Sequence, residues 1–285
     1  MNAPTETTRP PVIGVFDSGF GGLTVLRALL LEMPDARYIY LGDTARLPYG
    51  SKSRETVVRY ALSSARFLLE QGADLLVIAC NTASALALED LRDAMPIPAL
   101  GVIEPGADAA RAATTSPADT VLVLATTATV HSHAYAQKLR SLGLSAYEKA
   151  CPLLVPLVEE GWLSDPAKAA VTAEVLHIYL IEALSAAPKA QTLVLGCTHY
   201  PLLLPLIETT LKSLRHPMRI IDSARATARS TARLLAQSPP RLHTHATDLP
   251  NLTFYATDST EKFQHLGSQF LGQPLSQVHL LDLGG

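Results

Sequence analysis

Two short apolar runs in this chain end in the same way. Leu75-Leu-Val-Ile-Ala-Cys80 continues into Asn81-Thr-Ala-Ser84, and Thr192-Leu-Val-Leu-Gly-Cys197 continues into Thr198-His-Tyr-Pro201. Runs of branched aliphatics without polar alternation are the signature of strands buried on both faces, as in a parallel sheet. Residues just past the carboxyl end of such strands sit where open α/β sheets hold their ligands. Cys80 and Cys197 therefore fall where chemistry is expected, once in each half of the chain.

The remaining punctuation fits this frame. Val12-Ile-Gly-Val-Phe16 reads as a strand running into Asp17-Ser-Gly-Phe-Gly-Gly22, a turn that opens a helix from Leu23 to Glu32. The turn matches neither the dinucleotide fingerprint nor the P-loop, and no Lys follows its glycines. Its helix N-terminus offers free N–H groups to an anion. A strand at Tyr38–Leu41 and a helix over Ser53–Gln71 lead to the first Cys run, and a strand over Ile97–Ile103 closes the half. The second half starts again, with a strand at Thr120–Ala125 ending in Thr126-Thr-Ala-Thr129 where the first had Asp17-Ser18.

Strands alternating with helices predict an α/β protein. The repeat of the pattern predicts two pseudo-symmetric, doubly wound α/β lobes with the active site in the cleft between them. The expected division is residues 12–103 with 216–285 as the first lobe, 104–215 as the second, and 1–11 as a loose leader. The tail, including Arg219-Ile-Ile-Asp222, is expected to cross back into the first lobe.

Composition narrows the function. At 285 residues, 48% hydrophobic and 17% charged, the chain has ample core for two such lobes. A net charge of −3, only 6% aromatics and a single Trp argue against nucleic-acid partners. No membrane partner is expected either, since the apolar runs read as too interrupted to span a bilayer. Three cysteines, an odd number in so large a chain, read as reduced thiols in a cytoplasmic protein.

Two thiols converging on one cleft admit a disulfide switch, a metal site, a nucleophile or a pair of acid–base groups. Buried cysteines are also often merely small hydrophobes. No CxxC or HxxxH spacing supports a metal. His199, two residues past Cys197, would favour a thiolate there, and Asp17 is placed to steer the proton of Cys80. Such a pair suits removing a proton from one face of a carbon and delivering another to the opposite face. Hydroxyls at Ser18, Thr82 and Thr198 read as donors for carboxylates, and equally as helix caps. Arg46 and Lys52 are expected to be solvated, Cys151 packed, and His131, His133, His243 and His245 not catalytic.

The blocks Val15-Phe-Asp-Ser-Gly-Phe-Gly-Gly-Leu23, Gly42-Asp-Thr-Ala-Arg-Leu-Pro-Tyr-Gly50, Ala79-Cys-Asn-Thr-Ala83 and Gly196-Cys-Thr-His-Tyr-Pro201 together resemble the glutamate racemases of the aspartate/glutamate racemase family. The likeness runs from about Val12 to the Gly272 region. It implies a cofactor-independent, metal-free isomerase, homodimeric, that interconverts L- and D-glutamate and supplies D-glutamate for peptidoglycan. By the same resemblance Cys80 and Cys197 are the two acid–base thiols, Cys197 acting as base in the L-to-D direction, with Asp17, His199 and Glu159 assisting. Asp17, Ser18, Tyr49, Gly50, Ser51, Asn81, Thr82, Thr126, Thr129, Thr198 and His199 hold the substrate. The Ala125-Thr-Thr-Ala-Thr129 loop lacks the Gly that often precedes each Thr in such proteins. An aspartate or hydantoin racemase, a thiol hydrolase, and a two-lobed binding or regulatory protein remain as alternatives.

Overall fold

The structure is a computed structural model that describes residues 9–116, 119–237, 251–275 and 277–284. His243 and His245 lie outside the described residues. The first half forms β1 (Val12–Asp17), α1 (Leu23–Glu32), β2 (Arg37–Gly42), α2 (Arg54–Glu70), β3 (Leu75–Ile78), α3 (Asn81–Ala94), β4 (Ala99–Gly101) and α4 (Ile103–Ala113). The second forms β5 (Thr120–Ala125), α5 (Thr127–Ser132), α6 (Ala134–Ser141), β6 (Ser145–Ala150), α7 (Leu154–Glu159), α8 (Pro166–Ala186), β7 (Thr192–Gly196), α9 (Leu204–Ser213) and β8 (Arg219–Asp222). The tail is α10 (Ser223–Ala236), β9 (Leu252–Ala256), α11 (Thr260–Leu271) and β10 (Val278–Leu280).

The strands make two parallel sheets, ordered β10-β9-β2-β1-β3-β4 and β6-β5-β7-β8. The order 2-1-3-4 is thus repeated as 6-5-7-8. In each sheet the chain reverses direction between the first and third strands of the set, which opens a crevice at their carboxyl ends. β1, β3 and β7 are buried along their whole length, because helices cover both faces. Even-numbered β1 residues such as Phe16 pack with α2 and α3, while Ile13 and Val15 join a cluster that continues through α1 and α10 into the second lobe.

Two boundaries differ from the sequence expectation. β8 belongs to the second sheet, not the first: Leu193 and Val194 of β7 pair with Ile220 and Ile221. It is the counterpart of β4, so the chain crosses back only after it. The end of the expected leader is also tied down. Arg9 pairs with Asp74 at 3.1 Å, and Pro11 accepts a hydrogen bond from the Arg37 N–H.

β6 and β10, which carry no uninterrupted apolar run, are additional strands. The strand expected over Ile97–Ile103 is shorter, because Ile103-Glu104-Pro105 already forms the first turn of α4. One apolar segment also proves longer than expected. By length and composition α8 is a 21-residue helix apolar enough to cross a bilayer, although it carries Lys168, Glu174 and Glu182. Its buried stripe, Thr172, Leu176, Leu180 and Ala183, faces its own lobe.

Candidate active site

Most of the candidate residues gather where the two lobes meet, Thr82 of one lobe against Thr126 and Thr129 of the other. In the first lobe β1 delivers Asp17 and Ser18, and β3 delivers Cys80. The Cys80 thiol donates to Ser18 Oγ at 3.5 Å, and its sulfur accepts the Ala83 N–H at 3.4 Å, capping α3. Burial pushes this thiol up to about 12, and the negative charge of Asp17 adds to the rise. Asp17 itself is pushed up to about 6 by burial, against the pull of His199 and the Gly22 and Gly19 N–H groups. Its Oδ1 has no protein partner.

The second lobe surrounds its thiol differently. Cys197 Sγ lies 3.8 Å from His199 Nδ1, and His199 Nε2 lies 2.8 Å from Glu159 Oε1. Burial alone would lower the imidazole. The hydrogen bonds to Cys197 and Glu159 overcome it and raise the ring to about 10, so His199 is an imidazolium at neutral pH. Of the adjacent carboxylates Glu159 reaches the histidine, whereas Glu160 is exposed.

The lobes meet at close range. Thr82 Oγ1 lies 3.1 Å from Thr126 Oγ1 and 3.4 Å from Thr129 Oγ1. Thr126 also caps α5 through the Thr129 N–H, so capping and lining coexist. Gly21 presses on the second lobe: a Cβ there would stand 2.1 Å from Thr198 Oγ1 and 2.6 Å from His199 Nδ1. A Cβ on Gly50 would reach 3.4 Å from Thr126. Ser51 is exposed beside a pocket of about 330 Å³ lined by Gly50, Lys52, Thr127 and His131. Phe270 of α11 stacks edge-on against His199, with centroids 5.0 Å apart. Cys80 and Cys197 are only 6% and 5% exposed, so the cleft is closed over them. A larger groove, about 1040 Å³, runs along the edge of β8 and touches neither cysteine. Charge and donor geometry, not cavity size, therefore mark the site.

Some side chains do other work than the sequence suggests. The Tyr49 hydroxyl donates to Asp43 Oδ2 at 2.5 Å, so this side chain is committed to its own loop. Asp43 is fully buried and also binds Arg46 Nε and the Thr257 hydroxyl. Arg46 is consequently a half-buried ion-pair partner rather than a solvated cation, and Asp43 is the organiser that sequence reading missed. His133 pairs with Glu148 at 3.1 Å, a carboxylate 15 residues away that the local pattern did not reveal. Cys151 is packed in the core of the second lobe. Among the described residues no cluster of His, Cys, Asp or Glu has the makings of a metal site.

Two lobes of matching strand order, each presenting a thiol after a buried strand with hydroxyl or amide donors around it, define a class of two-lobed α/β proteins with paired thiols. The chain belongs to the Asp/Glu/Hydantoin racemase family, whose sequence profile matches residues 24–231. It is 50% identical to a glutamate racemase of Koribacter versatilis (strain Ellin345), an alignment covering 96% of this chain and 98% of that one. A crystal structure of glutamate racemase from Francisella tularensis in complex with D-glutamate superposes with a TM-score of 0.83 at 35% identity, covering 97% and 98%. The Thermus thermophilus glutamate racemase structure gives 0.79 at 40% identity, covering 97% and 98%.

Proposed function

We propose that this protein is a glutamate racemase that exchanges the configuration of glutamate between its two thiols, with no cofactor. The observation that carries this reading is the unlike environment of like thiols: Cys80 beside a carboxylate, Cys197 beside an imidazolium. From L-glutamate, Cys197 as thiolate takes the α-hydrogen as a proton, and the C–H electron pair stays on Cα. Charge spreads into the α-carboxylate, where neutral donors such as Asn81, Thr82 and Thr198 stabilise it. Cys80 then gives its proton to the opposite face, leaving a thiolate beside Asp17, and the reverse reaction exchanges the roles. The free Oδ1 of Asp17 is placed to relay the Cys80 proton between turnovers.

The substrate reading rests on the relatives, which are named for glutamate, and on the bound D-glutamate of the Francisella structure. Homodimer formation, a cytoplasmic place and supply of D-glutamate to peptidoglycan belong to the same proposal. Proton NMR in D2O, with L-glutamate and L-aspartate as separate substrates and reduced protein, tests it. The α-proton signal of glutamate alone is expected to vanish with matching loss of optical rotation. Exchange of aspartate alone would overturn the substrate, and exchange of neither would overturn the racemase reading.

A further inference from the structure

Asn81, the residue after Cys80, carries a buried amide nitrogen with no protein partner, while its other end is held from the opposite lobe. Tyr135 of α6, fully buried, donates its phenolic proton to Asn81 Oδ1 at 2.8 Å. Burial pushes the Tyr135 phenol well above its ordinary range, so the proton stays on it and needs an acceptor. A side-chain amide has one acceptor end and one donor end. With Oδ1 taken by the phenol, the N–H2 end is the one left for a ligand.

The phenol is closely packed where it makes this bond. Gly106 of α4 lies close beneath the Tyr135 oxygen, where a Cβ would approach to 3.3 Å, and the Ser223 side chain lies against the same place. Ser223 in turn donates to the Leu195 carbonyl on β7, two residues before Cys197. The bond from Tyr135 to Asn81 therefore ties the thiol-bearing segment of one lobe to the framework of the other.

We propose that Tyr135 is a positioning residue that holds the Asn81 amide with its N–H2 toward the substrate, and that this orientation is set only when the two lobes are together. The proposal rests on the racemase reading above. Separation of the lobes removes the phenol and leaves the amide free to turn its oxygen inward, where it would repel a carboxylate. Closure then brings the thiols together and arms a donor for the charge developing on the substrate in one movement.

The test is Tyr135→Phe in the full-length protein, which keeps the ring and removes the proton. Because the donor acts on the intermediate common to both directions, kcat is expected to fall about 10- to 100-fold for L- and for D-glutamate alike. KM should change less than about 3-fold, a split that simple loosening of the core would not give. In an Asn81→Ala background the same substitution should cost nothing further, since the two act as one unit. An unchanged kcat, or a full additional loss in the Asn81→Ala background, overturns the proposal. Should Y135F fail to fold by thermal melting, Asn81→Asp carries the same prediction. It keeps an oxygen for the phenol and removes the N–H2, so retained kcat there is equally fatal. A wild-type protein inactive on glutamate would overturn the racemase reading and this proposal together, whereas an active wild type with an unimpaired Y135F overturns this proposal alone.

Discussion

Cys80 and Cys197 occupy the same place in two sheets of the same order, yet their surroundings have opposite charge. In the first lobe burial keeps the proton on sulfur, and the buried carboxylate beside the thiol adds to the effect. The second sets an imidazolium there, propped from behind by Glu159. The repeat sets two thiols at matching places, and the local charges make their surroundings unlike; in the proposed mechanism that difference is what sets a base apart from an acid. Topology alone would have given two identical thiols and no resting direction.

Removing either sulfur breaks the comparison most severely. Cys80→Ser and Cys197→Ser are each expected to lower racemisation at least about 10³-fold, because an alcohol is far too weak an acid to replace the thiol. The variants should nonetheless differ. Cys80→Ser keeps Cys197 and should still wash the α-hydrogen out of L-glutamate, while Cys197→Ser should do so for D-glutamate. Solvent-exchange NMR on the single enantiomers reads this directly, and equal exchange of both by either variant would sink the assignment.

The buried carboxylate gives the next largest effect, and it appears in stability. Folded Asp17 holds its proton up to about pH 6 but unfolded Asp17 releases it near 3.8. Between those values the folded state binds more protons, so stability falls as pH rises. At neutral pH the charged side chain costs about 3 kcal/mol, from a shift of about two units at ~1.36 kcal/mol each. Asp17→Asn should therefore stabilise the protein by up to about 3 kcal/mol at pH 7.5 and hardly at all at pH 4, while impairing catalysis. Urea melts at the two pH values measure the difference. A variant no more stable at pH 7.5 than at pH 4, relative to wild type, would mean that Asp17 is not held charged at a cost.

The contrast between what the sequence revealed and what it hid follows the range of the interactions. β1, β3, β5 and β7 were legible because a strand covered on both faces has to be apolar throughout. β6 was not, because an edge strand bonded only to β5, with half-exposed side chains, reads Ser-Ala-Tyr-Glu-Lys-Ala. β8 was seen as a strand but given to the wrong sheet, since four residues carry no mark of their partner. The thiols and hydroxyls were found because each directly follows a buried strand. Asp43 behind Tyr49, Glu148 behind His133 and Tyr135 behind Asn81 escaped because their roles depend on neighbours brought up by the fold. Tyr135 lies 54 residues from Asn81 in the chain.

The smallest expected effect is the one that sharpens the comparison furthest, because it acts on the second lobe directly and reaches the first only through the charge of Asp17. Glu159 contacts His199 and not the first thiol. Folded His199 keeps its positive charge until pH rises through about 10, whereas the unfolded ring loses it near 6.5. The associated stability disappears over the same window. Glu159→Gln removes one of the two groups that hold the ring up against burial, so the imidazolium should be lost at lower pH. Deprotonation of L-glutamate, which depends on Cys197, should then fall at pH 8.5 by only about 1.3-fold for a drop of about one unit from about 10, and by about 4-fold for a drop of about two. Deprotonation of D-glutamate by Cys80 should change less than about 2-fold. Measured in the Cys80→Ser and Cys197→Ser backgrounds, the two half-reactions are separated, and the alkaline limb should move in the first and stay in the second. Equal movement of both limbs would show that the charges of the lobes act as one network, and the acid and base would then owe their difference to the substrate and not to the protein.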